Sequence, residues 1–209
     1  QAHYLDKEID DNFSEKVFNT FLENLDPYKR YFYASDIEEF SEYKYSIDDA
    51  FKNPNFDFFD LVYERYKERM SESEKIFNKI LSTPFDFSKD EVCECDFEVL
   101  DYVQTNHELY DRWRKLLKIY VIENYHNEIE DDLRKFEKDS LFQIRKLDLI
   151  EKETRESLSE TMIQNYRFVS EEMQRSDWLS VYINSFVSQY DPNTSYLDPE
   201  SKDRFDVDM

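Results

Sequence analysis

Residues 57–81, with the sequence DFFDLVYERYKERMSESEKIFNKIL, carry the clearest structural signal in the chain. Apolar side chains recur in this stretch every three or four positions over about seven helical turns. They are Phe59, Val62, Tyr66, Met70, Phe77 and Ile80, and Ser73 fills the one polar slot of the stripe. This spacing predicts one long amphipathic α-helix, which must bury its apolar face against other elements.

Four other segments show the same spacing and predict further amphipathic helices. We expect them at about residues 11–25 and 106–138, the second with a break near Asn127, and around residues 158–173 and 179–190. Their apolar stripes contain Phe18, Phe21, Leu22 and Leu25; Leu109, Trp113, Leu116 and Tyr120; Leu158, Met162, Tyr166, Val169 and Met173; and Leu179, Ile183, Phe186 and Tyr190. Because these residues sit at core spacing, the aromatic stripes indicate packing surfaces rather than a cofactor site.

The helical spacing fails between residues 82 and 105, where Pro84 is followed by isolated apolar residues among acids. These residues are Phe85, Phe87, Val92, Phe97, Val99 and Leu100. The composition predicts an irregular connector that crosses the helices in extended form, with at most one short edge strand. The expected fold class is therefore all-α, a bundle of long amphipathic helices with an extended crossing segment.

The chain contains no glycine, although a globular protein of 209 residues has roughly 15. Phosphate-binding loops, dinucleotide fingerprints, nucleophile elbows and tight hairpins all depend on glycine at positive φ or at a close backbone approach. Most catalytic architectures are therefore disfavoured.

The charge balance is strongly acidic, with 27 Lys and Arg against 49 Asp and Glu and a net charge of −22. Such a chain repels phosphate backbones, so we expect no nucleic-acid partner. The sequence has no run of the roughly 18–20 apolar residues that a membrane helix needs, so no membrane span is expected. The chain begins with Gln1, which predicts a processed or excised piece of a longer protein.

Metal-ligating residues are sparse, and we predict no metal and no cofactor. Cys93 and Cys95 stand two positions apart, where a disulfide would be strained and a metal would need two further ligands. A helical-bundle metal-carboxylate enzyme needs several Glu-x-x-His pairs, and only Glu123 and His126 have that spacing.

A duplicated turn motif stands above this background. Residues 24–32, NLDPYKRYF, and residues 189–197, QYDPNTSYL, align without a gap at an offset of 165 positions. The alignment extends outward, since Phe21 matches Phe186 and Phe40 matches Phe205. The turn residues that we single out are Asp26, Pro27, Tyr31, Asp191, Pro192, Thr194 and Tyr196.

Each copy has the chemistry of a helix stop. Proline disfavours the α conformation in the residue before it, so each helix should end near its aspartate, whose carboxylate can accept backbone N–H groups of the turn. We expect the tyrosine of each copy to enter the core, and a capping box at Ser35 and Glu38 to start the next helix. Since neither copy brings a base or nucleophile near the carboxylate, we predict a structural role.

The second copy resembles a segment of the carboxy-terminal processing peptidases, also called tail-specific serine proteases. In that family an Asp-Pro-His-Thr/Ser-x-Tyr-Phe/Leu segment lies just ahead of a PDZ domain, and this chain differs from it in having Asn193 where histidine is frequent. Further similar stretches begin at His3, Leu25, Tyr31, Phe85 and Trp113, so the resemblance covers essentially the whole chain.

The resemblance implies that residues 1–209 are the N-terminal helical domain of a larger protease, with residues 82–105 as a connector within it. The PDZ domain and the protease domain with its Ser/Lys dyad are expected after Met209, so none of the family's catalytic residues lies in this chain. The resemblance further implies a periplasmic or cell-envelope location, contacts with those two domains, protein substrates and an adaptor protein. The alternative is a free-standing acidic helical interaction module.

Overall fold

The computed structural model describes residues 8–51, 55–191 and 193–197. Six α-helices account for most of these residues, and short 3₁₀ turns follow the second helix at Ser41–Tyr43 and Asp48–Phe51. The helices are α1 (Asp11–Leu25), α2 (Ala34–Phe40), α3 (Asp57–Leu81), α4 (Asn106–Lys138), α5 (Leu147–Arg167) and α6 (Arg175–Tyr190). The predicted all-α bundle is confirmed for the described part of the chain.

Side-chain caps set the starts of four of the described helices, and at α6 Gln174 N donates to Asp177 Oδ2 (2.7 Å). Asp10 Oδ1 accepts a hydrogen bond from Phe13 N (2.9 Å) at α1, and Thr105 Oγ1 accepts one from Glu108 N (3.2 Å) at α4. At α2, Tyr33 N donates to Asp36 Oδ2 (2.9 Å). The capping box expected at Ser35 and Glu38 is therefore wrong in register, because α2 begins two residues earlier and uses Asp36 as its third residue.

Two boundaries differ from the expected ones. Helix α4 runs through Asn127 without a break, since one Asn in a helix interior costs only about 0.7 kcal/mol and Lys135 pairs with Asp131 (2.6 Å) in the following turns. Helix α5 begins at Leu147 instead of near residue 158, and after Arg167 the chain continues as a π-helical turn, Phe168–Glu172.

The apolar stripes pack into two adjoining cores. One lies where α1, the first half of α3 and α6 meet, and the other joins the end of α3 to the first half of α4. On α4 the buried stripe is Leu109, Trp113, Leu117 and Val121; the predicted Tyr120 is exposed, because the stripe follows the next residue at that turn. On α6 the most buried side chains are Trp178, Tyr182 and Ser185. The predicted stripe of α6 lies one position to the side, with Leu179, Phe186 and Tyr190 partly buried.

The connector crosses these cores as predicted. Residues 82–105 contain no helix, and Tyr33 and Val103 form an isolated parallel bridge in which Ala34 N donates to Val103 O (2.8 Å). Glu91 joins the connector to α4 through Arg114 Nη2 (2.5 Å) and Lys118 Nζ (2.6 Å). Hydrogen bonds from these two cations lower the pKa of Glu91 to about 2.

Helices α4 and α5 form a hairpin whose tip is held by charges. At this tip Arg145 pairs with Asp132, Glu128 and Glu153, each at 2.7 Å. Hydrogen bonds from the Arg145 guanidinium and backbone N–H lower the pKa of Asp132 to about 2. Around this network the tip exposes six large apolar side chains: Leu133, Phe136, Leu141, Ile144, Leu147 and Leu149.

Replacing Arg145 by methionine should loosen the hairpin tip alone. The substitution removes three ion pairs and leaves the buried Asp132 without its guanidinium partner. We expect amide hydrogen exchange in residues 139–146 to accelerate at least about tenfold, with α1 unchanged. The matched control is Arg134→Met on the same helix, since Arg134 is exposed and its ion pair with Asp131, at 3.8 Å, lies on the surface. Equal acceleration of amide exchange in both variants would contradict the conclusion that the ion pairs of Arg145 hold the hairpin tip.

Candidate functional site at the duplicated helix corners

The first corner is closed by a buried carboxylate. Helix α1 ends where Asp26 N donates to Leu22 O (2.9 Å), and Lys29 N then donates to Asp26 O (3.1 Å). Asp26 is 1% exposed; its Oδ1 accepts from Arg30 N (2.8 Å), and its Oδ2 accepts from Tyr31 N (2.9 Å) and Phe32 N (3.0 Å). Both carboxylate oxygens are thus engaged by the turn that follows the helix.

Burial and hydrogen bonding act on Asp26 in opposite directions. Burial raises the pKa of Asp26, while the three backbone N–H groups and the nearby Arg30 charge oppose that rise. The net result is a pKa above the ordinary value of 3.8. The contacts of this carboxyl are with backbone N–H groups of the turn, so it closes the turn.

The turn contains a left-handed residue in a chain without glycine. Lys29 has φ 45°, which a side chain with a Cβ adopts only at some cost. Its ammonium donates to Leu100 O and to Glu98 O (3.3 Å), so the connector holds it in place. Arg112 adds a second tie, because its Nη1 donates to Lys29 O (2.5 Å). Lys29 therefore holds the first corner against the connector, and Arg112 of α4 holds both, because its Nη2 also donates to Asp101 O (2.9 Å).

Tyr31 packs where α3 and α4 meet the first corner. Its ring lies 5.3 Å from that of Tyr66 and 5.8 Å from that of Trp113, both edge to face. Trp113 Nε1 donates to Arg30 O (2.9 Å), which fixes the corner against α4. Pro27, one residue after the buried aspartate, is exposed.

The second corner repeats the backbone hydrogen bonds that end the helix, but its aspartate is only partly buried. Asp191 N donates to Val187 O (3.1 Å) and Thr194 N donates to Asp191 O (3.0 Å), which match the backbone bonds of the first corner. Here the carboxylate accepts from Asn193 N (2.9 Å) and from the Thr194 hydroxyl (2.7 Å) at the surface. Pro192 lies outside the described residues, as does Phe205.

The expectation that Tyr196 enters the core is wrong. Tyr196 is 37% exposed, and the chain here runs back along the outside of α6. Asn184 ties it there, because Tyr196 N donates to Asn184 Oδ1 (2.6 Å) and Asn184 Nδ2 donates to Tyr196 O (3.1 Å). Tyr31 is partly buried because α3 and α4 meet around it, whereas Tyr196 lies on an outer face.

The helices that precede the two corners pack against each other by a pseudo-two-fold relation. Gln189 Nε2 donates to Thr20 Oγ1 (3.0 Å), and Asn24 Nδ2 donates to Ser185 Oγ (3.4 Å). At the offset of 165 positions Asn24 corresponds to Gln189 and Thr20 to Ser185, so the two bonds are copies of each other. The α1–α6 contact is therefore isologous in type, as in a symmetric dimer.

A second buried acid, Asp36, fastens α2 to α3. Its oxygens accept from Arg69 Nε (2.8 Å), Arg69 Nη2 (2.8 Å) and Arg65 Nη1 as well as from the backbone N–H of Tyr33. Burial raises the pKa of Asp36, but the hydrogen bonds from Arg69, Tyr33 and Arg65 outweigh it and leave the pKa below 3.8.

The remaining groups with reactive side chains are dispersed. His126 is exposed and lies 3.2 Å from Glu130, whereas His107 lines a surface groove beside the connector; His3 lies outside the described residues. In the ranges that the structure describes, His, Cys, Asp and Glu side chains form no cluster of three that could hold a metal ion. None of the described helices has the length and apolar composition needed to cross a bilayer.

These observations define a helical domain whose acidic motif residues close turns and join helices. Residues 1–200 match the family described as the tail specific protease N-terminal domain, and the chain belongs to that family. It is 25% identical over 213 aligned positions to the tail-specific protease of Haemophilus influenzae. That alignment covers 98% of this chain and 27% of the relative, so the chain spans about a quarter of the relative's length.

Proposed function

We propose that this chain is the non-catalytic N-terminal domain of a tail-specific serine endopeptidase in the bacterial cell envelope. In this proposal a PDZ domain and a protease domain with a Ser/Lys dyad follow it in the parent chain. The parent degrades or trims proteins from their C-terminal tails, while the helical domain shapes substrate access and docks on the protease body or on an adaptor.

The observation that carries the scaffold role is the engagement of the motif carboxylates. Both carboxylate oxygens of Asp26 accept hydrogen bonds from three backbone N–H groups. The oxygens of Asp36 accept hydrogen bonds from two arginines and from the backbone N–H at the start of α2. A catalytic acid or base needs an oxygen within hydrogen-bond reach of a reacting group. These acids instead fix the angles between α1, α2 and α3, which is the task of a scaffold.

The hairpin tip, the six exposed apolar residues around Arg145, supports the docking role. Leu141 is 87% exposed, and Leu147, the first residue of α5, is 56% exposed. Contiguous exposed apolar patches are uncommon on soluble domains and mark interaction surfaces. We assign this tip to the contact with the downstream part of the parent chain.

The proposal is tested by producing the 209-residue chain and the downstream part of the parent separately. We expect the chain alone not to cleave an unfolded protein that ends in an apolar tail, and the downstream part to bind the chain in calorimetry. Leu141→Ser with Leu147→Ser should weaken that binding at least about tenfold, since each loses burial worth more than about 1 kcal/mol.

The matched control is Val92→Ser, because Val92 is 85% exposed but lies on the connector far along the chain from the tip. Binding that is equally sensitive to Val92→Ser would place the contact elsewhere. Cleavage by the purified chain, or a gene that stops at Met209, would favour the free-standing alternative or an unforeseen activity.

A further inference from the structure

The two cysteines of the chain lie close together in the connector. Residues 91–96 form neither helix nor turn, and they carry Cys93 and Cys95 as free thiols. Cys95 is exposed and Cys93 is half-buried. Cys95 Sγ donates to Cys93 O (3.8 Å), and Cys93 Sγ donates to Glu94 O (3.8 Å). These hydrogen bonds stay within the segment, so a bond between the two thiols disrupts none that joins helices.

Each thiol is within reach of the other. Burial raises the pKa of the Cys93 thiol, and the nearby charge of Cys95 and a hydrogen bond with the Cys95 side chain raise it further. Side chains two positions apart lie on the same side of an extended chain, which accounts for this contact. Because Cys95 is the more accessible sulfur, a molecule that approaches from solvent meets it first.

A disulfide between these two cysteines would close a small ring. Such geometry is strained, and a strained disulfide is easily reduced. Both ends of the segment are anchored, since Glu91 pairs with Arg114 and Lys118 of α4. On the other side, the ring of Phe97 lies 4.8 Å from that of Tyr28, edge to face. The anchors limit how far the thiols can separate, so the pair suits reversible exchange and not a permanent cross-link.

The surroundings of the thiols are negatively charged. Residues 89–98 contain five acids and one lysine, and among the ion pairs of the described residues Glu91 alone of these acids takes part. From α4, two acids and two cations line the groove that Cys93 borders: Glu108, Asp111, Arg112 and Lys115. These four charges balance, so the acids of the segment leave a negative surplus. A negative surface attracts positively charged reactants and repels negatively charged ones.

We propose that Cys93 and Cys95 form a thiol–disulfide exchange site whose substrates are positively charged disulfides. The groove of about 750 Å³ between the connector and α4 gives room for the part of the substrate that does not react. The site goes beyond the proposed function and does not rest on it, because the two thiols and the acids around them belong to the connector.

Exchange takes place in two steps, each of which makes one S–S bond and breaks another. The Cys95 thiolate attacks one sulfur of the substrate disulfide, and the leaving thiolate takes up the proton that Cys95 lost. The Cys93 thiolate then attacks Cys95 Sγ, and the second half of the substrate leaves with the proton of Cys93. Two protein thiols are oxidised, and one substrate disulfide is reduced to two thiols. Because Cys95 carries no charge in the mixed disulfide, one of the contributions that raise the pKa of Cys93 is then absent.

The test follows the reaction of the 209-residue chain with cystamine, a small disulfide with two ammonium groups, by intact-mass spectrometry after free thiols are trapped with a maleimide. We expect both thiols to be lost together, in a product that carries no cysteamine. Raising the salt from about 20 to about 500 mM should slow this reaction about three- to tenfold. The uncharged hydroxyethyl disulfide should change by less than about twofold, and the anionic dithiodipropionate should react faster at high salt. Each disulfide is compared with itself, so intrinsic reactivity cancels.

Single-cysteine variants separate the two roles. Cys93→Ser should react with cystamine at an unchanged rate but keep cysteamine on Cys95, because the thiol that releases it is missing. Cys95→Ser should react at least about tenfold more slowly, since the remaining thiol is half-buried and has a raised pKa.

The charge effect has its own pair of variants. Glu94→Gln should reduce the salt dependence of the cystamine reaction, whereas Glu137→Gln should leave it unchanged. Glu137 is exposed and lies roughly 33 Å along α4 from Lys115 at about 1.5 Å per residue, beyond the range of unscreened charge effects. Cysteamine that stays attached to the wild type, equal rates for the two single-cysteine variants, a cystamine rate independent of salt, or no loss of thiols would each overturn the proposal.

Discussion

Replacing Asp26 by alanine is expected to lower the free energy of unfolding by about 3–5 kcal/mol. The substitution removes the acceptor of three backbone hydrogen bonds and leaves the N–H groups of Arg30, Tyr31 and Phe32 inside the corner. Phe32 is fully buried, so water cannot replace the lost acceptor there. Urea unfolding followed by far-UV circular dichroism measures the change.

The duplicated motif provides the matched control. Asp191→Ala removes the equivalent carboxylate, whose bonds to Asn193 and Thr194 lie at the surface and can be replaced by water. We expect a loss of less than about 1 kcal/mol for this variant. Asp26→Asn should fall between the two, because one oxygen remains to accept. Similar losses at Asp26 and Asp191 would show that burial does not distinguish the two corners.

Replacing Asp36 by alanine should cost about 3 kcal/mol, the second large effect. Its side chain is fully buried, and its loss leaves Arg65 and Arg69 partly buried without their shared acid. Their remaining partners, Glu39, Glu68 and Glu72, are solvent-facing and compensate only in part. Glu39→Gln is the control and should change the stability by less than about 0.5 kcal/mol.

The contribution of Asp36 should depend on pH with a defined sign. Its pKa is lower in the folded protein than its ordinary value of 3.8, so the folded state favours the ionised form. The stabilisation is therefore complete above about pH 3.8 and is lost as the pH falls through the folded pKa. The stability difference between the wild type and Asp36→Asn should be constant from about pH 5 to 7 and shrink below about pH 3.8. A stability difference that grows as the pH falls would contradict the stabilisation of ionised Asp36 by Arg65 and Arg69.

The long helices could be predicted from the sequence because their buried faces are apolar at regular spacing. Helix α1 has the bounds that its stripe predicts, and α3 has those predicted by residues 57–81. The first half of α5 escaped prediction for the converse reason. Its buried residues are Ile150, Glu151, Thr154 and Arg155, and a face on which three of four buried residues are polar or charged gives no apolar stripe.

The polar contacts between helices could not be predicted because they join distant parts of the chain. Arg65 and Arg69 stand four residues apart on the polar face of α3 and look like solvated charges until Asp36 is placed against them. The difference in burial between Tyr31 and Tyr196 could not be predicted either. The residues next to each tyrosine in the sequence do not indicate which of the two packs against other helices.

The antiparallel contact of α1 and α6 places the first and last helices at one edge, where the rings of Phe13 and Tyr190 lie 5.4 Å apart. The end of α4 at the hairpin tip lies roughly 37 Å along the helix from Trp113, which packs against the first corner, at about 1.5 Å per residue. A helix of this length acts as a lever. A rotation of about 10° about Trp113 would move the tip by roughly 6.5 Å, so a small change of angle becomes a displacement as large as a side chain.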